Sequence, residues 1–225
     1  MGCRHSPGTM WSEFLRIGKE NCVIALTSSQ PFSSVLVMSQ VKLFRHEWVW
    51  IKNRGSNFAN TVREPMKEHE NVLIFSRGKW TYNKQMQERT GGGLDRVKHP
   101  VKFNSKSKNY RDFEEYSSVP VGHDNLGESR YALSELRVPS SWQKFNTETG
   151  LHPTQKPVDL MRYLIRTYSN QGDVVLDCCM GSGSTGVGAL MEKRDFIGIE
   201  KDLAYFNIAK ERIDGMPSDL SDLME

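Results

Sequence analysis

The chain has no apolar run long enough to cross a membrane and no basic-then-apolar leader pattern at its start. Cysteine is scarce. Cys3, Cys22, Cys178 and Cys179 are the only four, and none stands at the spacing of a metal-ligand pair. That argues against a structural zinc module and against a secreted disulfide framework, and makes the reducing cytoplasm the expected compartment. Cys178 and Cys179 are adjacent at the end of an expected strand, so they should point to opposite faces. There is also no dense basic run, yet the net charge of +3 is unevenly spread. Residues 41–109 hold 15 Lys and Arg against 6 Asp and Glu, whereas residues 110–225 hold 12 against 19. A basic half joined to an acidic half points to a polyanion bound by the first. Scattered, solvated lysines are the alternative. At 225 residues the chain is long enough for one globular domain with a sizeable core.

The most informative stretch is 171–207, QGDVVLDCCMGSGSTGVGALMEKRDFIGIEKDLAYFN. It reads as strand, glycine turn, helix, strand, acid. Val174–Leu176 is a short apolar run closed by Asp177, as suits a strand buried on both faces. Gly181, Gly183 and Gly186 make a turn through which backbone can approach a ligand closely. A helix starts over Val187–Met191, and Phe196–Ile199 is a second strand ending at Glu200. An acid at that strand tip is where a ribose diol is held. The stretch is therefore expected to bind an adenosine-type cofactor.

Two cofactors fit. GSGSTG matches the dinucleotide pattern G-x-G-x-x-G. Against NAD, Asp177 sits where it would repel a pyrophosphate but bind an ammonium, and the Thr185 hydroxyl follows the glycines. The chain after Glu200 is also too short for the remaining βαβ units. S-adenosylmethionine, with an amino acid and a sulfonium in place of phosphates, suits an acid-flanked turn.

Upstream, residues 151–170 (LHPTQKPVDLMRYLIRTYSN) place Pro157 at the first position of a helix. Leu160, Met161, Leu164, Ile165 and Tyr168 give that helix one apolar face. Further strands are expected over Asn21–Leu26, Arg45–Lys52 and His69–Arg77, with a helix over Pro31–Ser39. Val23, Ile24, Leu26, Val72, Leu73 and Ile74 read as ordinary sheet core. Trp48 and Trp50 share one face at period two and read as packing rather than base stacking. Residues 53–60 (NRGSNFAN) form a polar, basic, glycine-containing loop. Residues 80–150 are irregular, with Lys98, Lys102, Lys106 and Lys108 interleaved with Tyr110, Phe113, Tyr116 and Tyr131. That mixture suits phosphate contacts plus stacking on a displaced base. The acidic end, 214–225, says little about function.

HPTQKP followed by a helix, D-x-x-x-G-S-G-x-T, IGIEKD and then YFNIAKER resembles the amino-group DNA methyltransferases with permuted motif order, in particular phage and mobile-element members. The likeness runs from Trp11 to Ile213. It implies one doubly wound, Rossmann-like α/β domain over 1–225, circularly permuted, with a target-recognition insertion over 80–150 and a cofactor half over 151–213. It implies S-adenosylmethionine as cofactor and double-stranded DNA as partner. His152, Pro153, Thr154, Gln155, Lys156 and Pro157 would line the methionine end. Gly181, Ser182 and Gly183 would give close backbone, Asp177 and Thr185 polar contacts, and Glu200 the ribose contact. Cys179 stands where relatives carry an aromatic that touches the cofactor. Lys52, Arg54, Asn57, Arg63, Lys98 and Lys102 would face DNA.

The resemblance also exposes a gap. Such enzymes carry an Asp-Pro-Pro-Tyr type motif at a strand tip, whose polar groups hold the target amino group and whose tyrosine stacks on the flipped base. No Pro-Pro pair occurs in this chain, MGCRHSPGTM stands where the motif belongs, and no strand-like run precedes Asn21. The expected protein therefore lacks its catalytic motif and a central strand, so the catalytic residues are unassigned. The reaction implied is methyl transfer to adenine N6, or alternatively cytosine N4, by a truncated member inactive alone. A second copy or a complementing chain is a candidate partner. A cofactor- or DNA-binding remnant, an RNA or protein methyltransferase, and a nicotinamide dehydrogenase remain as alternatives.

Overall fold

The computed structural model describes residues 7–90 and 136–217. The chain divides into two units, Met1–Asn83 with Ser140–Glu225, and Lys84–Pro139. In the first unit the order is α1 (Pro7–Ile17), β1 (Val23–Ser28), α2 (Phe32–Ser39), β2 (Phe44–Ser56) and β3 (Lys67–Ser76). After the second unit come β6 (Trp142–Lys144), α3 (Val158–Tyr168), β7 (Val174–Asp177), α4 (Ser184–Met191), β8 (Asp195–Gly198) and α5 (Leu203–Asp214). In the second unit, β4 (Gln87–Glu88) pairs antiparallel with β5 (Leu136–Arg137).

The first unit holds two sheets. One has strand order β1-β3-β2-β6, antiparallel except for the parallel β2–β6 pair. The other is the parallel pair β7–β8. Period-two alternation along β3 decides what each face of the first sheet covers. Leu73 and Phe75 join Trp11 of α1 and Leu36 of α2 in one buried cluster. Val72 and Ile74 join Trp48, Trp50 and the apolar stripe of α3 in the other. The second cluster also takes Ala189 of α4, with Val175 of β7 and Phe196 of β8 packed against it. The α3–α4 layer thus spans one face of both sheets. Together with the structural likeness below, this is the expected doubly wound α/β class. Trp48 and Trp50 are buried, as packing requires.

Five local expectations shift. Residues 7–17, where no element was expected, form α1, because Met10, Trp11 and Phe14 meet the sheet from one face of a helix. β2 runs on to Ser56, so Asn53–Ser56 are strand rather than loop. α4 starts at Ser184, three residues before the expected Val187. Pro157 is the cap of α3, with extended backbone, and the helix begins at Val158. Trp142–Lys144, inside the stretch expected to be an insertion, pairs with β2 in the main sheet.

Candidate functional site

The turn after β7 is closed by its own side chains. Asp177 accepts from the Cys179 N–H (3.0 Å) and from the Thr185 hydroxyl (2.6 Å). One acid thereby ties the strand end to the first turn of α4. Gly181 and Gly183 both have positive φ, 51° and 81°, which side chains rarely adopt. Their Cα atoms face different neighbours. A Cβ on Gly181 would lie 3.4 Å from the His152 ring, whereas one on Gly183 would meet the Ala209 Cβ of α5 at 2.9 Å. Gly183 is therefore needed for helix packing, a requirement that the same spacing in sequence does not separate from ligand approach. Ser182, expected to contact the cofactor, is buried, and Arg212 of α5 donates to its carbonyl at 2.6 Å. This side chain belongs to the α4–α5 packing.

Glu200, just beyond β8, reaches back to the turn. Its carboxylate accepts from the Gly181 N–H at 2.9 Å and from the Lys201 and Asp202 N–H groups at 2.8 and 2.9 Å. These bonds, led by Asp202, hold its pKa below the ordinary carboxylate value against the opposing effect of burial, and the nearby His152 helps. Three N–H donors and a half-exposed carboxylate leave acceptor capacity for a ligand hydroxyl. Because the folded pKa is depressed, the charge that holds the turn is fully present above the ordinary value of 4.5 and is lost only as pH falls through the lower folded value. An NMR titration of the Gly181, Lys201 and Asp202 amide shifts should therefore show a common midpoint below 4.5. A midpoint at or above 4.5 would mean that the carboxylate is not held in this way.

The segment His152–Pro157 forms a strap over this turn. The His152 ring lies across Gly181 and packs edge-on to Tyr205, with centroids 4.3 Å apart. Its Nδ1 accepts from the Thr154 N–H at 3.2 Å. Tyr205 is set by the start of α5, where Asp202 caps the helix by accepting from the Ala204 and Tyr205 N–H groups. The strap is pinned from below by Glu148. Its carboxylate accepts from the Val158 N–H at the start of α3 (2.8 Å) and from the Gln155 amide (3.1 Å). Gln155 in turn accepts from the Leu151 N–H at 3.2 Å. Pro153 and Thr154 are exposed, whereas Pro157 is buried.

Lys156 leaves the strap to pair with Glu70 of β3 at 3.1 Å, and Lys52 of β2 pairs with the same carboxylate. Both ammonium groups also lie over the Trp50 ring. Burial alone would raise the pKa of Glu70, but the hydrogen bond from Lys52 and the charges of Lys156 and Lys52 outweigh it and hold the carboxyl low. Lys52, expected to face DNA, is thus a buried ion-pair partner with its side chain 9% exposed. Arg54 and Arg63 are exposed on the β2–β3 hairpin. Asn57 there has left-handed backbone and its amide donates to Glu64. Lys98 and Lys102 lie outside the described residues. Cys179 is exposed beside the turn.

The structure therefore brings His152, Gly181, Glu200 and Tyr205 together, with Asp177 and Thr185 behind the turn. Glu148, Glu70 and the stacking role of Tyr205 were not read from the sequence. Their partners are 7 to 86 residues away, with no periodic signal. A separate pocket lined by His46, Lys79, Trp80 and Tyr82 shares no residue with this cluster. It lies near the other end of α3, where His46 hydrogen-bonds Tyr168.

Comparison with known proteins adds four findings. A family described as DNA methylase (N6_N4_Mtase) matches residues 8–211. The type II methyltransferase M1.MboII of Moraxella bovis is 31% identical over 186 residues, covering 80% of this chain and 67% of that protein. M2.MboI of the same organism is 38% identical over 78 residues, covering 34% of this chain and only 28% of the relative. Among solved structures, an M1.HpyAVI–SAM complex superposes with a TM-score of 0.60 at 23% identity, covering 91% of this chain and 80% of the other. The chain thus spans between roughly a quarter and two-thirds of the length of these two curated relatives.

Proposed function

The chain belongs to the DNA methylase family, and from that premise we propose that it binds S-adenosylmethionine and serves methyl transfer to an exocyclic amino group of double-stranded DNA. The observation that carries the reading is the convergence of strap, turn and acid, namely His152 over Gly181 with Glu200 bonded beneath and Tyr205 alongside. An adenosine cofactor fits what these residues offer. Glu200 is an ionised acceptor, held still and still accessible, as a ribose diol requires. The bare Cα of Gly181 leaves backbone open beside it. Asp177 and Thr185 would face the amino-acid end, with His152–Pro157 closing over it. When bound, this cofactor supplies a methyl group made electrophilic by its positively charged sulfur. The protein's task is to position and desolvate rather than to provide an acid or base. Adenine N6 is favoured over cytosine N4 on the resemblance to phage-type members.

A second part of the proposal concerns completeness. Among the described residues, β1 and β7 each pair on one side only. Yet Val23 of β1 and Val175 of β7 pack against the same cluster. Val174 and Ile197, on the other face of β7–β8, are 56% and 53% exposed. Parallel sheets are ordinarily covered on both faces. We infer that the groups holding the target base come from a segment that enters between β1 and β7, on a joined stretch of chain or a complementing one.

Two measurements test the proposal. Calorimetric titration with S-adenosylhomocysteine should show saturable one-to-one binding, and tritiated S-adenosylmethionine with mixed-sequence DNA should show no incorporation. Absence of binding by folded protein overturns the cofactor reading. Clear incorporation by the pure chain overturns the incompleteness.

A further inference from the structure

The β2–β3 hairpin outruns its sheet. β6 pairs with β2 only over Val49–Ile51, and β1 pairs with β3 only as far as Asn71. Beyond these points, among the described residues, the two strands have no other strand partner than each other, with a register shift between Ile51 and Ser56. The end of this arm is tightly built. Phe58–Asn60 is a 3-10 turn, Asn60 and Thr61 donate to the Asn57 and Phe58 carbonyls, and Arg63 and Glu64 both donate to the Asn60 carbonyl. The Asn57 amide ties to Glu64, and the Thr61 hydroxyl donates to Phe58 O at 2.8 Å. On this ordered tip Phe58 is 78% exposed and Val62 91% exposed. Arg54, Arg63 and Lys67 lie on the same arm, all exposed, together with the acids Glu64, which accepts from the Asn57 amide, and Glu68.

We propose that this tip is a DNA wedge. Phe58, flanked by Val62, enters between base steps of a duplex whose phosphates are held by Arg54, Arg63 and Lys67. The inference rests on the reading that the chain acts on duplex DNA, and it names how the chain grips that substrate. Three features favour DNA over a protein partner. The apolar surface amounts to two side chains plus part of Met66, far short of the roughly 800 Å² per partner of a standard protein interface. Three basic residues, Arg54, Arg63 and Lys67, outnumber the acids Glu64 and Glu68, a net charge of +1. Apolar side chains of this kind, backed by cations, are what partly unstack a base step. The base of the arm is also fastened to the strap through Glu70, which joins Lys52 to Lys156, and to the segment before the strap, where Asn53 accepts from the Thr147 N–H and hydroxyl at 2.8 and 2.9 Å. A duplex seized by the tip is therefore mechanically linked to the turn.

The test uses the whole chain and a short mixed-sequence duplex with 2-aminopurine beside a flexible TA step. Binding should raise 2-aminopurine fluorescence as the step unstacks. Phe58→Ala should weaken binding roughly tenfold, in the range of one lost base–aromatic stack. It should abolish the fluorescence rise and leave the salt dependence unchanged. Arg63→Ala should keep the rise and lower the salt slope by about one. Phe58→Trp should retain both affinity and rise, with its own emission quenched by the bases. Duplex binding with an unchanged rise in Phe58→Ala overturns the wedge and leaves the methylase reading intact. So does Phe58-dependent self-association with DNA binding unaffected. Failure of the wild-type chain to bind any duplex overturns the wedge and the DNA reading together, and titration with S-adenosylhomocysteine then decides the cofactor reading separately.

Discussion

Glu200→Ala is expected to weaken S-adenosylhomocysteine binding by about tenfold to 100-fold. A hydrogen bond from a ribose hydroxyl to the charged carboxylate is worth about 1.5–3 kcal/mol, and every 1.4 kcal/mol is tenfold. The loss compounds, because the same carboxylate holds the Gly181, Lys201 and Asp202 N–H groups. Without it the turn at Gly181, with its positive φ and the His152 ring across it, loses the tie that fixes the binding surface. Glu200→Gln separates these effects. One amide oxygen can still accept from Lys201 and Asp202, but the amide NH2 then confronts the Gly181 N–H. A loss of roughly tenfold is expected, one charged hydrogen bond weakened rather than all removed. Calorimetry measures both variants, and circular dichroism should show both folded, because the side chain is only partly buried. Binding by Glu200→Ala within threefold of wild type would sink the assignment of the ribose site.

What was legible in the chain was local. The apolar stripe of α3 and the apolar runs of β1, β3 and β7 are visible in the sequence, and these elements stand where the pattern puts them, although Val174 and Leu176 of β7, expected to be buried on both faces, are exposed. β2 outran its expected end because Asn53–Ser56 pair in an arm with little burial, so no apolar alternation marks them. Lys52 reads in isolation as a solvated cation. Its burial depends on Glu70, eighteen residues on and across the hairpin, and on Lys156 much further along. Glu148 and Tyr205 act through partners set by the tertiary fold, which spacing cannot reveal. Gly183 and Ser182 show the opposite error. A glycine-serine turn looks the same whether it admits a ligand or a helix, and here Ala209 and Arg212 of α5 occupy the space beside both. The position of Glu200 just beyond the second strand was readable because the acid directly follows the short apolar run of that strand.

Trp11→Ala should produce the largest loss of stability, about 3–5 kcal/mol, the usual range for emptying a buried large aromatic site. The side chain is 1% exposed and meets the Phe75 ring edge-on at 4.8 Å, with Phe14 and Leu36 completing the cluster. The cost should be that of a cavity rather than of a stranded polar group. Trp11 Nε1 donates to the Ser39 hydroxyl at 2.8 Å, but that hydroxyl also donates to the Leu36 carbonyl at 2.7 Å and keeps this bond when the indole is gone. Trp11→Phe, which retains a ring against Phe75, should lose clearly less. Against a whole-domain stability of about 5–15 kcal/mol the alanine variant is left marginal. In urea denaturation the midpoint should fall steeply with little change in slope, because the surface exposed on unfolding is nearly the same. A loss below about 1 kcal/mol, typical of a surface substitution, would mean that α1 is not docked on the sheet. The consequence reaches function through the open edge. α1 and α2 cover the face of the first sheet opposite α3, including β3 and its neighbour β1. If the edge of β1 receives the segment that holds the target base, loss of Trp11 should weaken that docking. The strap and turn stand instead on α3, α4 and α5, so at temperatures where the variant remains folded it should still bind S-adenosylhomocysteine.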